Sequence, residues 1–349
     1  QRLHLQPGPQ AAPQELGVSD AHPVSDIDTR MPALLDGCDA VWFPFATHKG
    51  LETQVGGWLQ SLRERVRYGT LCPTQQRDLC EPLDEMRLVK DASEQDTMRR
   101  AARISAGGHI RAMQLSARML RAGHDVREYH LDAELLHEFR RHGSQFPAYG
   151  SIVAAGANAC VLHYRANNAP VKKGDLLLCD AGAEYALYAS DITRTWPVSG
   201  TYSAAQRALY EVVLAAQTEC IGKARVGVPY DSIHATAVEV LTDGLLSLGL
   251  LKGTLKKNIT SEAYKKFYMH KTGHWLGLDV HDVGEYKLGG KSRLLEAGMV
   301  FTVEPGLYIA HGTPGVPAKY QGIGIRIEDD ILMTKNGPES LTEGVPKAV

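Results

Sequence analysis

Apolar residues recur along this chain at two spacings, one typical of helices and one typical of strands. A helix should begin at Ser93, because Ser93 and Asp96 match a capping box ahead of apolar residues at helical spacing. The same period predicts further helices over residues 129–139, 203–224 and 230–248. Short apolar or alternating runs predict strands over residues 150–153, 160–163, 176–179, 299–303 and 324–333. Two helices followed by strands therefore occur twice along the chain.

A weak internal repeat underlies that order. Residues 123–134 and 227–238 both place a glycine at a helix-entry turn and apolar residues on one helical face. Two interpretations stay open. Either the chain contains two αα-then-β halves with a site at their seam, or the spacing is one that any two amphipathic helices after a glycine turn would share.

The N-terminal quarter has a different character. Residues 1–30 are rich in Gln, Pro and Ala, so we expect a flexible tail or linker there. Residues 31–90 mix apolar and polar positions, and Pro73 and Pro82 interrupt them. The stretch is short for an independent domain. We therefore predict a partial N-terminal domain with its linker at 31–90 and a main domain at 91–349.

Composition narrows the class of protein. The 349 residues are 44% hydrophobic and 22% charged, enough for a large core, and the net charge of -2 gives no general attraction to nucleic acid or anionic lipid. We find no apolar run of the ~18 residues that a membrane span needs, and no signal-peptide pattern. Six scattered cysteines without a CxxC pair suit a reducing compartment, so we expect a cytoplasmic protein.

Candidate chemistry begins with two aspartates. Asp180 ends the apolar run 176–179, and Asp191 precedes the next strand-like segment, so a hairpin would bring their carboxylates together. Two such anions repel each other unless a cation or a shared proton compensates. Taken alone, the pair is better interpreted as loop-edge aspartates of an ordinary hairpin.

Histidines and glutamates extend the set. His270, His274 and His281 fall within twelve positions and are interleaved with glycines, which is unusual for a solvated loop. Glu304 follows the apolar strand 299–303. Strand parity places Glu328 on one face with Arg326 and Asp330, opposite three isoleucines. Arg326 would be either a structural partner of Glu328 or a group that orients it beside a metal.

Together these residues supply four carboxylates and one imidazole: Asp180, Asp191, His274, Glu304 and Glu328. An oxygen-rich set of this kind favours divalent ions such as Mn²⁺, with Co²⁺, Fe²⁺ or Zn²⁺ as alternatives. Five ligands exceed one tetrahedral site but suit two ions about 3.5–4 Å apart that activate a water molecule. The sequence therefore predicts a dinuclear metallohydrolase.

The segments around these ligands resemble a known family. "DAG", "SDITRTWPV", "HKTGHWLGLDVHDVG", "TVEPGLYI" and "GIGIRIEDD" are similar to motifs of the pita-bread metallopeptidases, and most of all to bacterial Xaa-Pro aminopeptidases, from about Leu83 to Thr342. The resemblance implies an α+β pita-bread fold with two pseudo-symmetric αα-β halves. Residues 31–90 would then be a short remnant of an N-terminal creatinase-like domain.

The resemblance also implies roles for single residues. Asp191 and Glu328 would bridge the two ions, Asp180 would complete one, and His274 with Glu304 would complete the other. His281 would bind the peptide carbonyl or move protons. The remaining members of the implied site shape the proline pocket or form a relay behind Asp180: His163, His270, Tyr149 and Arg326.

The implied reaction is release of the N-terminal residue from X-Pro peptides, with metal-bridging hydroxide attacking the carbonyl before proline. A prolidase, which accepts only dipeptides, is the nearest alternative, and a catalytically dead binding module of this fold is a second. Peptides are the expected partners, with neither nucleic acid nor membrane. The short N-terminal region leaves a homo-oligomer and the preferred peptide length open.

Overall fold

A computed structural model describes residues 8–348 of the chain, which divides into two compact units, Gln1–Leu83 and Asp84–Val349. The boundary lies seven residues before the one we expected between residues 90 and 91. Part of the predicted tail, residues 1–7, lies outside the described residues. Residues 8–30 include a short helix and the first turn of a second one. The three-part division of the chain stays a prediction.

The first unit is a small α/β body. Its elements are α1 (Ala12–Leu16), α2 (Ile27–Leu35), β1 (Ala40–Phe43), α3 (Leu51–Glu64), β2 (Gln75–Asp78) and the start of α4 (Cys80–Leu88). β1 and β2 pair in parallel, and α3 packs its apolar face on a core that includes Val41 and Phe43. The indole of Trp58 in this core donates to Asp28 at 2.8 Å, which satisfies its only polar group.

Helices of the second unit come in two packed pairs. The first pair is α5 (Ala92–Arg121) with α6 (Glu128–Arg141), and the second is α7 (Ala204–Lys223) with α8 (Asp231–Ser247). A short α9 (Leu255–Thr260) follows. None of the described helices combines the length and the apolar content that crossing a bilayer requires.

Short strands follow each helical pair. After the first pair come β3 (Phe146–Pro147), β4 (Ile152–Ala155), β5 (Leu176–Asp180), β6 (Ala183–Tyr185), β7 (Tyr188–Ala189) and β8 (Thr193–Pro197). After the second pair come β9 (Lys287–Leu288), β10 (Lys291–Ser292), β11 (Val300–Val303), β12 (Gly306–Ile309), β13 (Ile323–Arg326), β14 (Asp329–Thr334) and β15 (Gly337–Ser340). The predicted order of two helices and then strands thus occurs twice.

Each half has its own core. α5 and α6 bury their apolar faces against the antiparallel sheet β4-β5-β8, whose side chains are almost all buried. α7 and α8 pack on the second half, where β11 pairs with β14 and β12 pairs with β13. Ile323, Ile325 and Ile327 belong to this second core, as strand parity predicted.

Three local predictions need correction. The capping box of α5 is formed by Asp91 and Glu94 instead of Ser93 and Asp96: the Asp91 side chain accepts from Glu94 N at 2.9 Å, and the Glu94 side chain accepts from Asp91 N at 2.7 Å. Both pairs of residues fit the capping-box pattern. The backbone is extended at Asp91, which makes Asp91 the N-cap, and the helix therefore begins at Ala92, before Ser93.

The segment 160–163 is not a strand. A 3-10 turn over Gly156–Cys160 leads into an irregular loop, because Gly156 adopts a φ of 55° that turns the chain away from β4. The predicted strand 324–333 is in fact two strands, β13 and β14, with a break at Ile327 and Glu328. That break lets β13 pair with β12 while β14 pairs with β11.

Candidate metal centre and substrate cleft

A single cavity of about 750 Å³ in the second unit gathers most of the predicted site. All five predicted ligands line it, and so do His163, His270, His281 and Arg326. Tyr149 lies behind the wall, where its hydroxyl is 2.6 Å from Asp180 Oδ1 and 2.5 Å from Asp191 Oδ1. The structure therefore brings together side chains spread over 180 positions of sequence.

Strand ends place the carboxylates. Asp180 is the last residue of β5, Glu304 follows β11 directly, and Glu328 occupies the break between β13 and β14. Asp191 lies two residues before Thr193, the β8 residue that pairs with Asp180 in the register. Ligand atoms of Asp191, His274 and Glu328 all lie within 4.8 Å of one another, a spacing that suits a metal ion.

Two glycines allow the strands and loops to approach this closely. A Cβ at Gly182 would collide with the backbone carbonyl of Ser190, and one at Gly273 would collide with that of Thr302. A backbone obstacle cannot rotate away, so any side chain at these positions would push the ligand segments apart. The glycines of "DAG" and "TGH" are thus required by packing around the site.

His274 is oriented by backbone contacts on both sides. Thr302 N donates to the carbonyl of His274 at 2.9 Å, and the His274 ring Nδ1 lies 2.9 Å from the carbonyl of Trp275. Nδ1–H therefore donates to that carbonyl, which leaves Nε2 facing the carboxylates, 3.5 Å from Asp191 and 3.8 Å from Glu304. A ring held in this way is typical of a metal-binding histidine.

Electrostatics of the cluster call for added positive charge. Burial, followed by the neighbouring acids, raises the pKa of Glu328 well above its ordinary value, and burial raises the pKa of Glu304 to about 7. Burial opposes ionisation of His274, yet Asp191 and Glu304 raise its pKa to about 9. Four acids crowded around one imidazole are stable as anions only beside cations, so the donor set fits divalent metal ions.

A polar network surrounds the ligands. Arg326 donates to Asp180 Oδ2 at 2.5 Å and to the Tyr308 hydroxyl at 3.0 Å. His270 Nε2 lies 2.9 Å from the same hydroxyl, and burial lowers the pKa of His270 to about 3, so its ring is neutral. The predicted contacts of Tyr149 and Arg326 with Asp180 are both present.

Two residues of this network escaped the sequence analysis. Tyr308 joins His270 to Arg326, and the Thr193 hydroxyl donates to Glu328 Oε2 at 2.6 Å. Both lie inside segments that we singled out, "TVEPGLYI" and "SDITRTWPV". Strand alternation could have indicated Thr193, because it is the β8 residue that faces Asp180 in the register.

Comparison with known proteins agrees with this geometry. Residues 96–335 match the model of metallopeptidase family M24. The chain belongs to that family. Its fold is the pita-bread fold that we predicted, because it superposes on the structure of Pseudomonas aeruginosa aminopeptidase PepP with a TM-score of 0.93 and 47% sequence identity, over 99% of this chain and 76% of that one.

Curated M24 relatives cover nearly the whole chain. The Xaa-Pro aminopeptidase of Haemophilus influenzae is 45% identical over 98% of this chain, and that of Escherichia coli is 44% identical over 97% of it. In each case the match spans 75% of the relative. The predicted resemblance is confirmed, and the chain is a metallopeptidase that uses divalent metal ions.

Proposed function

We propose that this M24 metallopeptidase is an aminopeptidase that removes the N-terminal residue from peptides with proline in the second position. The observation that carries the proposal is one cavity lined by all five candidate metal ligands and by four further histidines, His163, His234, His270 and His281. The two curated relatives are Xaa-Pro aminopeptidases by name, at 45% and 44% identity.

Asp191 and Glu328 are the proposed bridging ligands. Asp180 would complete one ion, and His274 with Glu304 would complete the other. When bound, the two ions would activate water and polarise the scissile carbonyl. Mn²⁺ is the proposed ion, and Co²⁺, Zn²⁺ and Fe²⁺ are the alternatives, since a set of four carboxylates and one imidazole does not select among them.

Three histidines would handle the substrate. The His281 ring lies 4.3 Å from the His274 ring, centre to centre, and partial burial together with His274 lowers the pKa of His281. His281 is therefore neutral near pH 7 and able to hold or pass a proton at the reacting carbonyl. His163 and His270 line the same cavity and would contact the proline ring.

The shape of the cavity favours an aminopeptidase over a prolidase. Its wall continues from the buried ligands to the exposed side chains of Asp231, Lys271 and Lys287. The volume of about 750 Å³ lies well within the range of pockets that enclose drug-sized ligands. A peptide longer than a dipeptide therefore has room beyond the proline position.

Peptides are the proposed partners, without nucleic acid or membrane, and a homo-oligomer stays open. A cytoplasmic location remains our proposal, based on the scattered cysteines.

The direct test is hydrolysis of X-Pro-Y and X-Pro peptides by the chelated protein after Mn²⁺ is restored, with bound metal measured on the same samples. We expect cleavage of both after metal addition and preference for the tripeptide. Exclusive cleavage of X-Pro would establish a prolidase, and metal binding without cleavage would establish a binding module.

Asp191→Asn and Glu328→Gln test the bridging assignment. Each should abolish metal binding and hydrolysis together, because each carboxylate would serve two ions at once. Asp231→Asn, at the outer wall of the same cavity, is the matched control and should keep its metal. Near-normal metal content and turnover in either bridging variant would contradict the assignment.

A further inference from the structure

The loop that follows Cys160 brings His163 to the cavity without regular secondary structure. Residues 161–175 form neither helix nor strand, and the side chain of His163 is exposed. No hydrogen bond to the His163 ring is present among residues 8–348. Its position therefore depends on how the neighbouring residues of the loop are held.

A buried carboxylate holds that loop. Glu128, in the first turn of α6, is 0% exposed, and each of its oxygens accepts two hydrogen bonds. Oε1 accepts from Ala155 N at 2.8 Å and from the Asn158 amide at 2.9 Å. Oε2 accepts from the Tyr164 hydroxyl at 2.8 Å and from Ala169 N at 2.8 Å. Both ends of the segment that contains His163 therefore converge on one side chain.

Tyr164 is the contact closest to His163. Burial and the hydrogen bond to Glu128 raise the pKa of Tyr164 to about 12, so the phenol keeps the proton that it donates. Its ring and the side chain of Leu162 pack on a small apolar cluster that includes Tyr308, whose hydroxyl contacts His270. The residues on either side of His163 are thus anchored, and His163 itself projects toward the cavity.

We propose that Glu128 is a positioning residue for substrate binding, because its carboxylate fixes the loop that presents His163 to the proline of the substrate. The inference rests on the proposed function, since it assigns His163 to substrate contact. Glu128 does not line the cavity among the described residues, so it would act only through the loop.

Glu128→Gln tests this with almost no change in size. One carboxylate oxygen becomes an amide nitrogen, which cannot accept the two hydrogen bonds that this oxygen accepted. The backbone N–H of either Ala155 or Ala169 therefore loses its acceptor. We expect KM for X-Pro-Y peptides to rise about tenfold, with kcat within about twofold and metal content unchanged. Glu134→Gln on the same helix, where the carboxylate pairs with Arg111, is the matched control and should leave KM unchanged.

A double-mutant cycle separates positioning from general destabilisation. If Glu128 acts through His163, Glu128→Gln should change kcat/KM less than about twofold in a His163→Ala background. Tyr164→Phe removes the hydrogen bond to Glu128 and the one that the hydroxyl accepts from the Asn158 amide, and it leaves the ring packed. It should therefore raise KM about threefold even if Glu128→Gln fails to fold.

Two results would overturn the inference. One is a fall in melting temperature with unchanged KM in both Glu128→Gln and Tyr164→Phe. The other is a tenfold loss of kcat/KM caused by Glu128→Gln that persists in the His163→Ala background. Absence of X-Pro hydrolysis in the metal-loaded wild type would instead refute the proposed function, and the inference with it.

Discussion

Replacing Asp329 by asparagine should destabilise the second unit severely, although the side chain keeps its size. Asp329 is 0% exposed and accepts hydrogen bonds from four side chains. Arg194 donates at 2.6 Å, Gln217 at 2.5 Å and Thr342 at 2.6 Å, and Lys347 also donates. The substitution removes the only negative charge in this group of contacts and leaves two cations beside it.

The magnitude follows from the burial of Arg194. Its side chain is 1% exposed, and its guanidinium also donates to the carbonyls of Glu328 and Val345, so it cannot turn toward water. Removing one partner of a buried ion pair costs about 3–5 kcal/mol, because the remaining charge stays desolvated. That is a large part of the ~5–15 kcal/mol that stabilises a typical domain.

The pKa of Asp329 supports this reasoning. Burial would raise it, but Arg194 and Lys347 hold the pKa of Asp329 well below its ordinary value. A carboxyl with a lowered pKa stabilises the fold above its ordinary pKa and loses that contribution only as pH falls toward the lowered value. The loss of stability caused by Asp329→Asn should therefore be fully present at neutral pH.

Urea unfolding of the full chain at pH 7, followed by circular dichroism, measures the effect. We expect the transition that reports the second unit to shift to lower urea with an unchanged slope. Glu211→Gln is the control. The side chains of Glu211 and its ion-pair partner Arg207 are each about half exposed, so the pair should contribute less than about 1 kcal/mol to the free energy of unfolding. A loss below about 1 kcal/mol for Asp329→Asn would refute the argument that Arg194 is left unpaired.

Two further predictions concern histidines. His281→Ala should lower kcat by about 100-fold or more without changing metal content, because the ring would move a proton and bind no metal; loss of metal, measured by atomic absorption, would make His281 a ligand. The second prediction concerns His109, which is fully buried. Its Nε2–H donates to the carbonyl of Ala181, and its Nδ1 has no partner among the described residues. Burial lowers the pKa of His109 to about 4 from an ordinary 6.5. As pH falls, His109 therefore binds a proton in the unfolded chain before it does so in the folded chain. The free energy of unfolding should consequently fall by up to about 3 kcal/mol between pH 6.5 and 4. His109→Gln should show a smaller fall in urea titrations of metal-free protein at pH 7 and 4.5, and an equal fall would contradict the prediction.

Some local predictions failed because the competing patterns are equivalent in sequence. Ser93 with Asp96 and Asp91 with Glu94 both match a capping box, and only the extended backbone at Asp91 decides where α5 begins. Residues 160–163 have the composition of a strand. β5 already has a strand partner on each edge, the outer edge of β4 donates to the side chains of Asn167 and Glu128, and the turn at Gly156 turns the segment toward the cavity.

The sequence by itself determined which residues we propose as the ligand set of the metal centre. Asp180, Asp191, Glu304 and Glu328 each stand next to an apolar strand segment, and His274 lies among glycines, so local pattern and motif were enough to choose them. These residues were predictable because strand ends and glycine turns are short-range features, visible within about ten positions.

Only the tertiary structure decided what supports those ligands. Thr193 on Glu328, Tyr308 between His270 and Arg326, and Glu128 beneath the loop of His163 are contacts between residues 18 or more positions apart. A threonine, tyrosine or glutamate in a strand or helix is compatible with many surroundings, so its sequence context does not indicate a partner. Each buried polar group must be satisfied by whatever group the fold brings near it, and that choice is made only when the helices, strands and loops of the second unit pack together.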